Sequence, residues 1–547
     1  MNSHQIADLF EAVADAVPDR TAIVCDDRRL SYGELDEQAT RLAHHLQSRG
    51  LGAGDHVGAY LYNGVEYVVT MLAAFKISAV PINVNYRYVE DELAYLLANA
   101  DLRAVVHHRE FAPRITAVKA GCPKLELALY VEDGSGASVD ALDSTPFEAA
   151  CAGGSSLRDF SGRSDDDLFV IYTGGTTGMP KGVMWPHEAA YFACFGGGNP
   201  VGEDIHDLDE LVERARTIGA IAVALVAAPL IHGAAQLATL ISLLGGMKIV
   251  YQKQFDAEGI VRLIAREKVM TLSLVGDAMA RPLAEALERN AETERPIDCS
   301  SVLVVGSAGA IFSERVKDRL KRQLPQAQML DNYGSTETGF QGSGGSGHKS
   351  FGQGLTFAMN DRTLVIDENH RPLAPGSGEV GRVALTGYVP IGYYGDPEKS
   401  AETFPVIDGL RYSITGDLAE VEADGTVKLY GRGSLCINSG GEKVFVEEVE
   451  NALKGHPSVQ DAVVVGLDDD RWGQRVVALV SMAAGHELPD EDALRDHCRQ
   501  RVAGYKVPKE IHRVDEIFRG PNGKADYELS TRTAEGLSAA RAVSGAR

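Results

Sequence analysis

Short apolar runs alternate with helix-like stretches along much of the chain, and this alternation constrains its fold most strongly. Strand-like runs occupy 57–62, 79–84 and 103–108, with helical stretches between them. A second series of such runs extends from 221 to 340, and a Gly/Ser-rich segment at 341–354 then predicts a flexible turn region. Strands that are joined through helices pair in parallel, so the rhythm predicts a largely parallel sheet covered by helices.

The remainder of the chain predicts two smaller units. From 361 to 430 short strands and turns alternate without a clear helix, which favours a small β-barrel-like subdomain. After Gly431 the pattern becomes that of a small α+β module. We therefore expect an α/β protein with a large N-terminal domain at 1–432 and a small C-terminal domain at 433–547. The final segment, 536–547, is expected to be disordered.

Composition and charge exclude several classes of protein. The 547 residues include 53 Lys and Arg against 77 Asp and Glu, a net charge of −24, which argues against nucleic acid as a main partner. The longest apolar run, 218–231, is broken by Pro229 and predicts a buried strand rather than a membrane span. The seven cysteines lack paired spacing and the N-terminus lacks a signal-peptide pattern, which together favour a cytoplasmic protein.

A loop rich in glycine and threonine directly follows the apolar run at 168–172. Glycines let backbone N–H groups approach an oxyanion, threonine hydroxyls add donors, and a lysine adds positive charge, so the loop is suited to bind a polyphosphate. It is not the P-loop of kinases, because Pro180 precedes its lysine. The candidate nucleotide-binding residues of this loop are Thr173, Gly174, Gly175, Thr176, Thr177, Gly178 and Lys181.

The run YTGGTTGMPKG at 172–182 resembles the phosphate-loop signature of the adenylate-forming superfamily, which contains acyl-CoA synthetases, luciferases and peptide-synthetase adenylation domains. Other segments resemble further signatures of that superfamily, in the same order and across nearly the whole chain. The resemblance implies a large AMP-binding domain and a small mobile C-terminal lid. It also implies ATP as a co-substrate and Mg²⁺ as the metal.

The segment NYGSTET at 332–338 resembles the second signature. This resemblance implies that Thr336 contacts a phosphate oxygen and that Glu337 holds Mg²⁺, a cation that prefers oxygen ligands. The segment 306–310 resembles the small-residue stretch along the adenine and acyl pocket. The residues assigned to the nucleotide site on this basis are Ser307, Ala308, Asn332, Tyr333, Gly334 and Ser335, with the Tyr333 ring facing adenine.

Three features near the end of the large domain resemble later signatures. Asp417 resembles the aspartate that binds the ribose hydroxyls, and Arg432 resembles the hinge arginine that contacts ribose and phosphate. Ser434 stands where the family usually has Asp or Lys at the pivot. The loop at 438–443 resembles the one that lines the pantetheine tunnel of acyl-CoA synthetases, which implies coenzyme A as the acceptor. Its assigned residues are Ser439, Gly440, Gly441 and Lys443.

Lys524, in the segment 521–524, resembles the catalytic lysine of the last signature, although the usual basic and apolar sequel is replaced by Ala-Asp-Tyr at 525–527. Such a lysine can bridge the carboxylate and the α-phosphate as charge develops there. His232 stands where the family places an aromatic residue or histidine beside the substrate carboxylate. The candidate catalytic residues are therefore Lys524, Thr336, Glu337 and His232.

Together these signatures imply an ATP-dependent acyl-CoA synthetase, which forms acyl-CoA, AMP and pyrophosphate through an acyl-adenylate. The wider similarity is to actinobacterial synthetases for fatty acids and sterol side-chain acids, and small residues at 233–235 and 275–278 predict a wide apolar acyl tunnel. Three alternatives stay open: a fatty acyl-AMP ligase that delivers to a carrier protein, a luciferase, and a non-catalytic nucleotide-binding regulator. A homodimer is one option for the oligomeric state.

Overall fold

The computed structural model is a mixed α/β fold in which most strands belong to one large central sheet. It describes residues 3–173, 179–200, 202–310, 312–345, 355–432, 435–439, 442–469, 473–483, 485–486, 489–520 and 524–545. The helices are α1 (Ile6–Ala16), α2 (Tyr32–Ser48), α3 (Val65–Lys76), α4 (Glu90–Asn99), α5 (Ala112–Val118), α6 (Phe147–Gly153), α7 (His187–Cys194), α8 (Leu208–Thr217), α9 (Gly233–Leu244), α10 (Ala257–Glu267), α11 (Gly276–Ala291), α12 (Glu314–Gln323), α13 (Pro397–Thr403), α14 (Val446–Lys454), α15 (Glu491–Arg499) and α16 (Tyr527–Gly545).

The strands number consecutively along the same chain. They are β1 (Thr21–Cys25), β2 (Arg28–Ser31), β3 (His56–Tyr60), β4 (Val80–Asn83), β5 (Leu102–His108), β6 (Leu127–Val131), β7 (Thr145–Pro146), β8 (Leu168–Thr173), β9 (Lys181–Pro186), β10 (Val223–Val226), β11 (Lys248–Tyr251), β12 (Thr271–Leu274), β13 (Val304–Ala308), β14 (Gln328–Ser335), β15 (Gly339–Gly345), β16 (Leu355–Met359), β17 (Thr363–Ile366), β18 (Val380–Thr386), β19 (Gly392–Tyr393), β20 (Val406–Ile407), β21 (Leu410–Val421), β22 (Val427–Arg432), β23 (Ile437–Ser439), β24 (Glu442–Val444), β25 (Val459–Asp469), β26 (Gly473–Met482) and β27 (Glu510–Arg513).

The central sheet has a parallel half and an antiparallel half. Its parallel half runs in the order β14-β13-β12-β10-β11-β1. The strands β15, β16, β22, β21, β18 and β17 continue the sheet beyond β14, each antiparallel to its neighbour. A second, wholly parallel sheet has the order β4-β3-β5-β6-β7. The predicted parallel series is therefore confirmed in both halves of the N-terminal region.

Among the hydrophobic cores that hold these sheets to their helices, two are the most extensive. The larger joins α1, α2 and α3 to α7 and to the antiparallel pair β8 and β9. The other packs α10, α11 and α12 against the parallel strands of the central sheet. Helix α2 begins at a capping box formed by Ser31 and Glu34, as its sequence pattern indicates. Among the described residues no helix is long and apolar enough to cross a membrane.

The middle region differs from its predicted form. Its strands extend the central sheet instead of forming a separate unit, and the described strands close no barrel. Helix α13 lies in the stretch where no helix was expected. The predicted turn region at 341–354 was wrong for 341–345, which belong to β15; residues 346–354 lie outside those described. Strand β15 forms because its backbone pairs with β14 on one side and β16 on the other.

The C-terminal region is a small α+β unit around the sheet β24-β23-β26-β25, with β27 beside β26. Helices α14 and α15 share a core with this sheet. The predicted disorder of 536–547 was wrong for 536–545, because α16 continues through Gly545. That helix is held by burial of Ala534 against β25 and β26. Residues 546–547 lie outside those described.

Candidate active site

The candidate site lies at the edge of the central sheet where its parallel strands end. Strands β10, β13 and β14 run in the same direction, so their carboxyl ends meet there. His232 follows β10, Ala308 ends β13, and Ser335 ends β14. Ligands of open α/β sheets bind at this kind of edge. The sheet therefore brings together predicted site residues from separate parts of the chain.

A buried asparagine connects the phosphate-loop strand to the segment before His232. The Nδ2 of Asn83 donates hydrogen bonds to the carbonyl oxygens of Tyr172, at 2.8 Å, and Ile231, at 2.7 Å. The backbone N–H of Tyr172 donates to Asn83 Oδ1 at 2.7 Å. These bonds fix where β8 delivers Thr173. The rest of the predicted loop, residues 174–178, lies outside the described residues.

The pair Thr336 and Glu337 is held from three directions. Trp185 Nε1 donates to the carbonyl of Thr336 at 2.8 Å, and Ser413 Oγ donates to the carbonyl of Glu337 at 2.7 Å. The Tyr393 hydroxyl donates to Glu337 Oε1 at 3.0 Å. These bonds orient a carboxylate of the kind that binds a hard divalent cation.

Helix α9 begins directly against this pair. A Cβ added to Gly233 would lie 3.3 Å from an Ile171 methyl carbon, which is a tight contact, and 3.6 Å from Thr336 Oγ1, which is ordinary van der Waals contact. His232 is the N-cap residue of α9 and is half-buried. The histidine, the threonine and the end of β8 therefore share one small volume.

The predicted phosphate lysine is held by the segment that also holds Glu337. Lys181 Nζ forms an ion pair with Asp396, and it lies 5.9 Å from the centroid of the Tyr393 ring. The Lys181 and Asp396 side chains are 38% and 30% exposed, so the pair is accessible to a competing anion. The Lys181 side chain lowers the pKa of the Asp396 carboxyl. Tyr393 and Asp396 thus organise both charged groups of the site.

Side chains of β14 and β21 form a polar corner around Asp417, the predicted ribose residue. The hydroxyls of Tyr333 and Thr415 each donate to Asp417 Oδ2 at 2.9 Å. Asp417 and Arg432 are cross-strand partners in β21 and β22. The predicted ribose residues therefore lie at one position in the sheet, next to the predicted adenine face.

The small-residue segment of β13 lies between these groups. Ala308 pairs with Asn332 in the parallel ladder. Ser307 is buried, and its hydroxyl accepts the backbone N–H of Gly276 at 2.8 Å, which ties the start of α11 to β13. Gly334 belongs to β14 and pairs with Phe340. Both strands therefore present small side chains and backbone to the site.

The C-terminal lysine contributes to the electrostatics of the site. Burial, and then the positive charges of Arg87 and Lys524, lower the pKa of His232 to about 4. Lys524 therefore acts on His232 through its charge, although the two residues lie far apart in sequence. The histidine is therefore neutral at pH 7, with one ring nitrogen as a donor and the other as an acceptor.

Other predicted residues lie elsewhere or outside the described set. Ser439 pairs with Glu442 and Gly473 inside the small C-terminal sheet. Lys443 lies in β24 of the same sheet. The residues Ser434, Gly440, Gly441 and 521–523 lie outside those described.

Three contributing residues were missed in the sequence, namely Asn83, Tyr393 and Asp396. Asn83 ends an otherwise apolar strand, and a polar residue at that place is a weak signal for a site. Tyr393 and Asp396 precede α13, with Asp396 as its N-cap, so their pattern indicates only a helix start.

Known protein families and relatives match this chain over nearly its whole length. The family model for AMP-binding enzymes matches residues 10–394, and the model for the AMP-binding enzyme C-terminal domain matches 448–524. A 3-oxocholest-4-en-26-oate–CoA ligase of Rhodococcus rhodochrous is 46% identical over 526 residues, 95% of this chain and 94% of its own. A medium/long-chain-fatty-acid–CoA/3-oxocholest-4-en-26-oate–CoA ligase of Mycobacterium marinum is 46% identical over 537 residues, 97% and 96% of the two chains.

Solved structures show the same fold. The crystal structure of the anthranilate CoA ligase AuaEII in complex with anthranoyl-AMP has a TM-score of 0.80 and 22% identity, and the match covers 98% of both chains. The arrangement of a large N-terminal region and a small C-terminal region is therefore shared.

Proposed function

Because the chain belongs to the AMP-binding enzyme family, we propose that it is an ATP-dependent acyl-CoA synthetase. It converts a carboxylic acid, ATP and coenzyme A into acyl-CoA, AMP and pyrophosphate through an acyl-adenylate. The observation that carries this proposal is the set of hydrogen bonds that holds Thr336 and Glu337 at the sheet edge, beside the start of α9. Lys524, whose charge also lowers the pKa of His232, would meet the carboxylate and the α-phosphate there.

In the first step a carboxylate oxygen attacks the α-phosphorus of ATP, a new P–O bond forms, and the bond to pyrophosphate breaks. Lys524 and Lys181 offset the negative charge of the phosphates, and the Thr336 hydroxyl donates to a phosphate oxygen. The phosphates compete with Asp396 for Lys181. His232, because it is neutral, donates a hydrogen bond to the acid without forming an ion pair that would lower its nucleophilicity.

The donor set fits Mg²⁺. The Glu337 carboxylate would hold the cation, and Tyr393 keeps that carboxylate in place. When bound with ATP, Mg²⁺ supplies charge neutralisation on the phosphate oxygens. Around the nucleoside, Asp417 accepts hydrogen bonds from the ribose hydroxyls, Tyr333 faces adenine, and Arg432 contacts ribose and phosphate. Backbone and small side chains of the remaining predicted residues line the pocket.

In the second step the thiol of coenzyme A loses its proton to solvent and its sulfur attacks the acyl carbonyl, so that a thioester forms and AMP leaves with the bridging oxygen. We propose that the domain at 1–432 and the lid at 433–547 together carry out the first step. The lid then rotates near Ser434 before the second step. After rotation, Ser439, Gly440, Gly441 and Lys443 would approach the pantetheine arm.

The acyl substrate is a fatty acid or a steroid side-chain acid. The relatives at 46% identity carry those substrates in their names. The small residues at 233–235 in the sequence favour an acyl pocket that accepts a bulky apolar group. Since ATP and coenzyme A are supplied inside cells, a cytoplasmic location follows from these co-substrates. A homodimer is a separate proposal, which light scattering would test.

A product assay tests this function. Enzyme, ATP, Mg²⁺ and coenzyme A are incubated with acetate, octanoate, palmitate, benzoate or a steroid side-chain acid, and products are identified by mass spectrometry. We expect AMP and one acyl-CoA mass, with palmitate or the steroid acid favoured over acetate. Acyl-adenylate and AMP without a thioester would favour the carrier-protein ligase instead. ADP as product, or nucleotide turnover that is independent of the acid, would contradict the proposal.

A further inference from the structure

The residues up to Gly520 and the residues from Lys524 onward form two arms that pair with each other, and each arm is anchored by a side chain. The arms pair as a short hairpin: Gly520 N donates to the carbonyl of Lys524, and Asp526 N donates to the carbonyl of Phe518, both at 2.9 Å. Arg519 lies on the first arm, and Tyr527 directly follows the second. Backbone pairing fixes the shape of the hairpin, while its placement on the domain depends on other contacts.

The first arm is anchored to β25 through a partly exposed charge network. Arg519 Nη2 donates to Asp461 Oδ2 at 2.5 Å. Lys454 Nζ lies 3.1 Å from Asp461 Oδ1. Burial raises the pKa of the Asp461 carboxyl, but the positive charges of Lys454 and Arg519 outweigh this effect and lower the pKa to about 2. Asp461 is therefore ionised at every physiological pH and holds two cations.

The second arm is anchored to α14. The Tyr527 hydroxyl donates to Glu450 Oε1 at 3.0 Å, and the Val464 N–H donates to the same oxygen at 2.9 Å. Glu450 is 2% exposed. Because Glu450 and Lys454 are four residues apart on α14, they lie on one helix face. Glu450, which accepts from Tyr527, and Lys454, which pairs with the Asp461 partner of Arg519, therefore lie on the same face of α14.

Helix α14 also borders the N-terminal region. Phe445, its N-cap residue, stacks on Tyr430 with ring centroids 4.8 Å apart. A Cβ added to Gly431 would lie 2.8 Å from the carboxyl carbon of Glu447. A second contact lies at β25, where Arg281 Nη1 donates to the Gln460 side chain at 2.8 Å. The elements that anchor the hairpin are therefore also the elements that contact the large domain.

We propose that Tyr527 and Arg519 are positioning residues for Lys524. Their contacts with Glu450 and Asp461 hold the hairpin on α14 and β25, so that the lysine meets the reacting carboxylate when the lid is in its adenylating position. This inference rests on the proposed function of Lys524. A displacement of about 1 Å at a reacting group can lower a rate by about 100-fold, so a modest loosening of the hairpin has a measurable effect.

The two half-reactions differ in whether they need Lys524. Lys524 acts while the carboxylate attacks phosphorus, and thioester formation from a supplied acyl-adenylate does not need it. A loss of hairpin position therefore slows adenylation alone. A general loss of packing would slow both steps, because Tyr527 also packs against the cores of the C-terminal region.

The test uses Tyr527→Phe, which removes the hydroxyl and keeps the ring. Acid-dependent ATP–pyrophosphate exchange measures adenylation, and thioester formation from added acyl-adenylate and coenzyme A measures the second step. We expect kcat for exchange to fall about tenfold and the second step to stay within about twofold. Tyr505→Phe, a 40% exposed tyrosine of the same region, is the matched control and should change neither.

Two further variants make the outcome decisive. In a Lys524→Ala background, Tyr527→Phe should cause no further loss, because the group it positions is gone. Arg519→Gln tests the other anchor, and should give the same selective loss. Equal losses in both half-reactions, an additive loss in the Lys524→Ala background, or unchanged exchange in both anchor variants would overturn the proposal. If the wild type forms no acyl-CoA, or Lys524→Ala keeps full exchange, the proposed function fails instead.

Discussion

Replacing Tyr393 by phenylalanine should weaken the apparent affinity for Mg²⁺ without removing activity. The variant deletes the hydroxyl that donates to Glu337 Oε1 at 3.0 Å and keeps the ring that lies near Lys181. Tyr393 is 7% exposed, so water has little access to replace the lost donor. Glu337 would then keep its charge but lose the bond that orients its carboxylate.

The size of the effect follows from that bond. A hydrogen bond to a charged group contributes about 1.5–3 kcal/mol. Removing an outer partner of a metal ligand commonly costs about 10–100-fold in metal affinity or activity. We expect the Mg²⁺ concentration for half-maximal rate to rise roughly tenfold or more. At saturating Mg²⁺ the rate should return to within about threefold of wild type, since the ligand itself remains.

The assay is acid-dependent ATP–pyrophosphate exchange. The Mg²⁺ concentration is varied while the total ATP concentration is kept constant and saturating. Tyr394→Phe is the matched control, because the neighbouring Tyr394 hydroxyl donates to Asp101, at 2.9 Å, and does not contact Glu337. An unchanged half-maximal Mg²⁺ concentration in Tyr393→Phe, or an equal shift in Tyr394→Phe, would refute the reasoning.

Three other variants test further features of the structure. Gly431→Ala should lower Tm by a few degrees in calorimetry, because Gly431 has φ +95° and a Cβ there would meet Glu447. Left-handed backbone costs an alanine about 1–2 kcal/mol. An unchanged Tm would contradict this prediction. Burial raises the pKa of Glu450 from 4.5 to about 7, so the stability that the protonated group contributes is complete below pH 4.5 and is lost as pH rises through about 7. The Tm of the wild type should therefore decline between pH 5 and 8, and Glu450→Gln should lack this part of the decline. Parallel Tm profiles of the two proteins would count against this prediction. Because the pKa of His232 is about 4, kcat/KM should show no histidine step near pH 6.5, and His232→Gln should leave the shape of the profile between pH 5.5 and 8 unchanged; a step that disappears in the variant would disagree.

Local patterns predict much of this fold. The apolar runs near 57, 79 and 103 form parallel strands because each is short, apolar and separated from the next by a helix. Strand β15 was missed because its glycines favour a turn, and only the neighbouring strands supply the hydrogen bonds that make it extended. Helix α16 was missed because its burial depends on partners in β25 and β26 that its own sequence does not reveal.

The candidate site divides in the same way. Lys181, Asp417 and Lys524 stand out because their motifs combine a charge with a glycine-containing turn or loop. The groups that hold them do not stand out, since Tyr393 and Glu337 are separated by 56 residues and meet only in three dimensions. The chemistry of the site is therefore visible in the sequence, whereas the hydrogen bonds that orient it require the fold.

An oxygen-transfer experiment tests the acyl-adenylate route most directly. The enzyme is incubated with ATP, Mg²⁺, coenzyme A and a fatty acid whose two carboxylate oxygens are both ¹⁸O. Because a carboxylate oxygen becomes the bridge to the α-phosphorus and leaves with AMP, mass spectrometry should find one ¹⁸O in each AMP and none in pyrophosphate. AMP without the label, or ADP with ¹⁸O in inorganic phosphate, would contradict carboxylate attack on the α-phosphorus.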